Sequence, residues 1–172
     1  LDLLRAGRSA AEAVEALVEA DDGRDLRQLG IVDAQGRSAA FTGDGCVANA
    51  GHACAAGVSA QGNILAGASV PAAMLESFGA PSGDLAERLL AALRRADALG
   101  GDLRGLRSSA LVIAAGGAGI RPWTRRFDLR VDDSPSPLDE LTRLLRVARA
   151  FEALAEALSA ARQGRFEAAL GA

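Results

Sequence analysis

Two five-residue runs, Gln28 to Val32 and Ser38 to Thr42, flank Asp33-Ala34-Gln35-Gly36 and constrain the fold more than any other feature of the chain. Asp and Gly supply turn conformations, and Leu29, Ile31, Val32 and Phe41 favour extended backbone, so the pattern predicts an antiparallel hairpin. Upstream, Leu3, Leu4, Ala10, Ala13, Val14, Leu17 and Val18 recur at helical spacing. Ser9 and Glu12 form an S-x-x-E capping box, so a helix runs from about Ser9 to Glu19 after a short helical turn. Asp21-Asp22-Gly23 stops it.

Beyond the hairpin, Thr42-Gly43-Asp44-Gly45-Cys46 reads as a Gly-rich connection. Gly57 to Leu65 reads as a strand with Ser59, Gln61 and Asn63 on one face. Helical spacing returns over Ser69 to Phe78 and Asp84 to Leu99, separated by Pro81, Ser82 and Gly83, and Gly100-Gly101 closes the second helix. Ser109 to Ala115 and Phe127 to Val131 read as a second hairpin. After Asp132-Asp133-Ser134-Pro135-Ser136-Pro137, a long helix spans about Leu138 to Ala161, with a last turn at Arg165 to Leu170. This order lacks regular βαβ alternation, so the class is α+β, with mostly antiparallel sheet covered by helices.

Composition narrows the chemistry. The 172 residues, 49% hydrophobic and 24% charged, suit one domain. All nineteen basic residues are Arg, which removes Schiff-base lysines and the phosphate-binding lysine of P-loops. A net charge of −3 without a basic stripe argues against nucleic acid. The apolar runs fall short of the roughly 20 residues that span a bilayer, so no membrane association is expected. Two cysteines suit a reducing compartment, and a cytoplasmic location is expected.

The segments Arg27-Gln28-Leu29-Gly30-Ile31-Val32-Asp33, Ala40-Phe41-Thr42-Gly43, Cys46, Ala50-Gly51-His52, Gln61-Gly62-Asn63-Ile64-Leu65-Ala66-Gly67 and Asp128-Leu129-Arg130-Val131-Asp132-Asp133 occur in one order. As a set they resemble the bacterial family catalogued as domain of unknown function 1028, over roughly Leu1 to Leu145. The resemblance implies an N-terminal-nucleophile (Ntn) hydrolase type of fold, a four-layer αββα sandwich with two antiparallel sheets between helices. It assigns residues 1–137 to that domain and leaves 138–172 as a helical extension, packed on the domain or in an oligomer contact. In such enzymes an N-terminal Thr, Ser or Cys attacks an amide carbonyl and its own α-amino group is the general base. The resemblance also implies two further strands ahead of Leu1, so the nucleophile is expected outside this chain, on a missing N-terminal piece that is omitted here, exists as a separate piece, or is lost. Loss without replacement would leave sheet edges unpaired and favour self-association into a homo-oligomer.

The candidate catalytic residues are His52, Cys46, Gln61 and Asn63. His52, the single histidine, is expected in a Gly-rich loop, either bonding that loop or acting with Cys46 as a base and thiol pair. Gln61 and Asn63 could bind a substrate amide or donate to an oxyanion, or satisfy nearby backbone. Thr42, Asp132 and Asp133 are candidates for substrate binding; an Asp pair can also cap the next helix or stay solvated. Arg121, Arg125 and Arg126 around Trp123 either recognise a carboxylate or make a cation–π contact, or form a solvated loop. Cys46, His52 and Cys54 lack a fourth ligand and C-x-x-C spacing, so a zinc hydrolase is the weakest reading and neither metal nor cofactor is assigned. The function expected is hydrolysis of a small amide-containing substrate; the alternative is a non-catalytic oligomeric binding or structural protein that keeps the fold.

Overall fold

The computed structural model describes residues 1–80, 83–117, 121 and 124–163, in two compact units, Leu1–Leu106 and Arg107–Ala172. Pro81, Ser82, Trp123 and the turn expected at Arg165 to Leu170 lie outside the described residues.

The first unit opens with α1 (Asp2–Arg5) and α2 (Ala10–Glu19). The capping box forms as its sequence requires: Ser9 Oγ accepts from the Glu12 amide at 3.3 Å, and Glu12 accepts from the Ser9 amide at 2.7 Å. Ala10, Ala13 and Val14, at i, i+3 and i+4, are the buried stripe of α2. A 3-10 turn (Arg24–Leu26) leads into β1 (Gln28–Val32) and β2 (Ser38–Thr42), antiparallel from Gln28 opposite Thr42 to Val32 opposite Ser38. Helix α2 packs on both strands.

Asp33 joins these parts. It is the buried charged residue of the turn, 8% exposed, and its carboxylate accepts four hydrogen bonds. One oxygen takes the amides of Gln35 and Arg37, at 3.0 and 2.9 Å; the other takes the Ala10 amide at 3.2 Å and Arg37 Nε at 2.6 Å. The carboxylate therefore closes the hairpin turn and also sits on the N-terminus of α2, where partial positive charge favours an anion. Burial by itself raises the Asp33 pKa, but the bonds from the Arg37 backbone and side chain, then from Ala10 and Gln35, outweigh it and hold the carboxyl below its ordinary value.

A second hairpin follows, β3 (Gly51–Ala55) with β4 (Val58–Gly62), in register from Gly51 opposite Gly62 to Ala55 opposite Val58. The sequence pattern shows only the later strand and puts His52 in a loop; the structure places His52 within β3. Gly, Ala, Cys and His have weak strand preference, so this segment becomes a strand through its partner and its cover rather than its own composition. Asn63 correspondingly lies just beyond the end of β4.

Helices α3 (Val70–Gly79) and α4 (Leu85–Ala98) complete the unit, with α3 on β3 and β4 and α4 against α3. The close of α4 is a Schellman arrangement: the Gly100 amide donates to Asp97 O and the Gly101 amide to Ala96 O, both at 2.9 Å, with Gly100 at φ +96°. Strand β1 packs on β4 and β2 on β3, so the two hairpins stack face to face. Gly30 permits the approach: a Cβ there would run into Gln61 Oε1 and come within 2.5 Å of Ser59 Oγ.

In the second unit β5 (Ser109–Ala114) pairs antiparallel with β6 (Arg125–Val131), with a bulge at Ile113/Ala114, and α5 (Pro137–Arg162) packs on both. Leu111, Ile113, Phe127 and Val131 meet Leu138, Leu141 and Leu145 in its core. Leu141 is fully buried, and truncation to Ala there costs about 2–5 kcal/mol. No helix among the described residues is long and apolar enough to cross a membrane.

Candidate functional site

The facing surfaces of the two stacked hairpins carry polar side chains where most sheet packings carry apolar ones. His52 stands opposite Gln61 in the β3–β4 register and Cys54 opposite Ser59, so these four residues share one face. Thr42 of β2 meets that face: its Oγ1 lies 2.8 Å from His52 Nδ1. Ser59 Oγ donates to Gln61 Oε1 at 3.3 Å, and the Cys54 thiol to Ser59 Oγ at 3.6 Å.

The hub of the network is Gln28, which its position in a strand pattern did not mark as functional. Its Nε2 donates to Thr42 Oγ1 at 3.1 Å and to the carbonyls of Gly51 and Gly62, both at 3.0 Å. Two carbonyl acceptors fix which end of the carboxamide is nitrogen. The opposite end, Oε1, has no partner among the described residues. A polar residue at an inward strand position was the signal available in the sequence.

Gln28 also lines a cavity of about 450 Å³ with Leu26, Gly45, Cys46, Val47, Asn63 and Ile64. The start of β1, the loop after β2 and the loop after β4 meet there. None of these lining residues carries a formal charge. The Asn63 carboxamide is exposed and makes no hydrogen bond to a described residue, so its donors and acceptor are open to a ligand. The Cys46 thiol donates to Arg27 O at 3.4 Å.

Backbone strain borders the cavity. Asn49 and Ile64 adopt left-handed conformations, φ 58° and 53°. Asn tolerates this conformation, but a β-branched residue in it is a genuine outlier, at a cost of about 1–3 kcal/mol. Surrounding bonds hold it: the Leu103 amide donates to Ile64 O at 2.9 Å, the Ala66 amide to Gly101 O at 2.9 Å, and Leu65 bridges Asp102. Asp102 is itself braced by Arg104, whose side chain and amide donate to its carboxylate and hold its pKa down at about 2.

The cavity thus collects Cys46 and Asn63 from the candidate residues, and Gln28 links it to Thr42 and His52. Gln61 flanks His52 without lining the cavity. Cys46 and His52 do not bond each other, so they form no thiol and base pair in this structure. Cys46, His52 and Cys54 do not converge either; among the described residues no group of three or more His, Cys, Asp or Glu side chains could hold a metal ion. Asp132 and Asp133 belong to the second unit, where both are exposed and Asp133 pairs with Arg107 at 2.6 Å. Of the arginine cluster, Arg126 forms a two-pronged pair with Glu152, at 3.0 and 3.1 Å, and lies over the Phe127 ring.

Comparison with known proteins gives a consistent family. No match was found among curated proteins. The crystal structure of protein SPO2555 from Silicibacter pomeroyi, a DUF1028 protein, is similar at 34% identity and a TM-score of 0.70, over 84% of this chain and 62% of that one. The chain therefore spans somewhat under two thirds of the length of that structure. The model of DUF1028, described as a family of unknown function, matches residues 1–141. With that match covering most of its length, and with the stacked hairpins lying inside it, the chain belongs to the DUF1028 family.

Proposed function

We propose that the cavity lined by Gln28, Cys46, Asn63 and Ile64 is the amide-binding part of an Ntn-type amide-bond hydrolase. The fold in this reading is the four-layer αββα sandwich, with the stacked hairpins as its two central layers. The observation that carries it is the pair of carboxamides in an uncharged, strained cavity: the open Asn63 side chain and the Gln28 side chain with its oxygen unpartnered. An amide substrate presents one carbonyl acceptor and one N–H donor, and these two carboxamides present the matching donor and acceptor.

The chemistry runs through an N-terminal Thr, Ser or Cys ahead of Leu1. Its side-chain oxygen or sulfur adds to the amide carbon while its α-amine takes the proton, and Asn63 donates to the oxyanion. The amine then protonates the departing nitrogen as the C–N bond breaks, leaving an acyl-enzyme that water hydrolyses. Gln28 accepts from the substrate N–H and is held by Thr42 and, through it, by His52. These two are positioning residues, Gln61 flanks His52, and Cys46 forms part of the cavity wall. Both cysteines are free thiols, which supports a reducing, cytoplasmic setting.

The test is the protein expressed from its complete reading frame. Intact mass is expected to reveal a chain starting with Thr, Ser or Cys ahead of Leu1, and uncharged carboxamides and anilides are expected to be hydrolysed. A mature chain with another first residue and no turnover of the panel contradicts the reading. It would favour the second one, a non-catalytic binding or structural protein, which draws on the exposed apolar surface of α5.

A further inference from the structure

Helix α5 has two apolar rows. The first, Leu138, Leu141 and Leu145, is buried in the core of the second unit. The second runs along its C-terminal half and stays in solvent: Val147 is 40% exposed, Phe151 67%, Leu154 53% and Leu158 52%. The steps between these four are four, three and four residues, the a/d spacing that keeps a seam facing a partner helix. Ala148 and Ala155 flank the row on one side, Ala150 and Ala157 on the other. Small flanks without charge allow two helix axes to approach to about 8 Å. The family match ends at residue 141, before this row begins.

We infer that this row of α5 pairs with the same row of a second copy of the chain, making a two-fold homodimer through helix packing. A seam of this kind is self-complementary, as a two-fold interface requires, because each residue of the row can meet a residue of the identical row. The area also fits: the four side chains expose on the order of 400 Å² per copy, so two copies with their alanine flanks approach the roughly 1,000 Å² that a specific interface needs. Phe151, the largest and most exposed of the four, is the anchor. The inference does not depend on the amide-hydrolase reading, since it uses no residue of the cavity.

Sedimentation equilibrium of the whole chain across a concentration series tests it, with Phe151→Glu/Leu154→Glu and the milder Phe151→Ala as variants and Leu103→Glu, another exposed leucine, as control. The wild type and the control are expected to be dimers at micromolar concentration. The double variant is expected to be a monomer, at least about 100-fold weaker in association, with an unchanged far-UV spectrum because both side chains are exposed; Phe151→Ala should weaken pairing by about tenfold or more. A wild type that stays monomeric to about 100 µM, or a dimer that the two Phe151 variants leave intact, overturns the inference.

Discussion

The two hairpins of the first unit have strands of equal length and the same antiparallel sense, yet they are built by different means. The β1–β2 hairpin is local: its strands carry Leu, Ile, Val and Phe, and one buried carboxylate, Asp33, closes its turn and ties it to α2. The β3–β4 hairpin is made of Gly, Ala, Cys, Ser, Gln and His, with Val58 its one large aliphatic residue, and depends on its surroundings, with α3 on one face and the Gln28 carboxamide holding the carbonyls of Gly51 and Gly62 on the other. The self-sufficient hairpin acts as scaffold. The dependent one presents the polar face, and the loop after it borders the cavity. A segment freed from making its own apolar core can carry chemistry, at the cost of needing support from elsewhere.

Substitutions break this contrast in a defined order. Asp33→Ala should have the largest effect, because it leaves the Ala10, Gln35 and Arg37 amides without their acceptor and uncouples α2 from the hairpin; thermal denaturation should show a midpoint lower by on the order of 10 °C. Gln28→Ala removes the support between the hairpins and should cost about 2–3 kcal/mol, read from urea unfolding, with the largest rise in amide exchange in β3 and β4 rather than in β1 and β2. Equal loss of protection in both hairpins would deny the difference. Gly30→Ala forces Gln61 and Ser59 away from β1 and should cost about 1 kcal/mol in the same assay, since the Gln61 end is exposed and can swing aside.

Acid sharpens the comparison at lower cost. Asp33 and Asp102 have folded-state pKa values below those of the unfolded chain, so their contributions are fully present above about pH 4 and are lost as the pH falls through the folded values, about 2 for Asp102. Chemical denaturation midpoints should therefore decline from about pH 4 downward, and Asp102→Asn should flatten that decline slightly.

The same contrast explains what could be read from the sequence. The first hairpin, the capping box at Ser9 and the glycine close of α4 were legible residue by residue because each rests on local chemistry. Strand β3 was not, since no residue in Gly51–Ala55 favours a strand by itself and its pairing partner supplies the conformation. Family resemblance singled out His52, Thr42, Cys46 and Asn63, but their connection runs through Gln28, whose side chain looked like ordinary strand polarity. The left-handed backbone at Ile64 had no sequence signal at all, because a β-branched residue argues against that conformation.

The central claim, that Asn63 donates to a developing oxyanion in an uncharged amide site, is tested most directly by kcat for hydrolysis of a carboxamide by the complete protein and its Asn63→Ala variant. Asn63 is exposed and unpartnered among the described residues, so the variant should fold with unchanged stability. The account predicts a fall in kcat of about 10²–10³, with KM little changed. An equally active Asn63→Ala enzyme would contradict it.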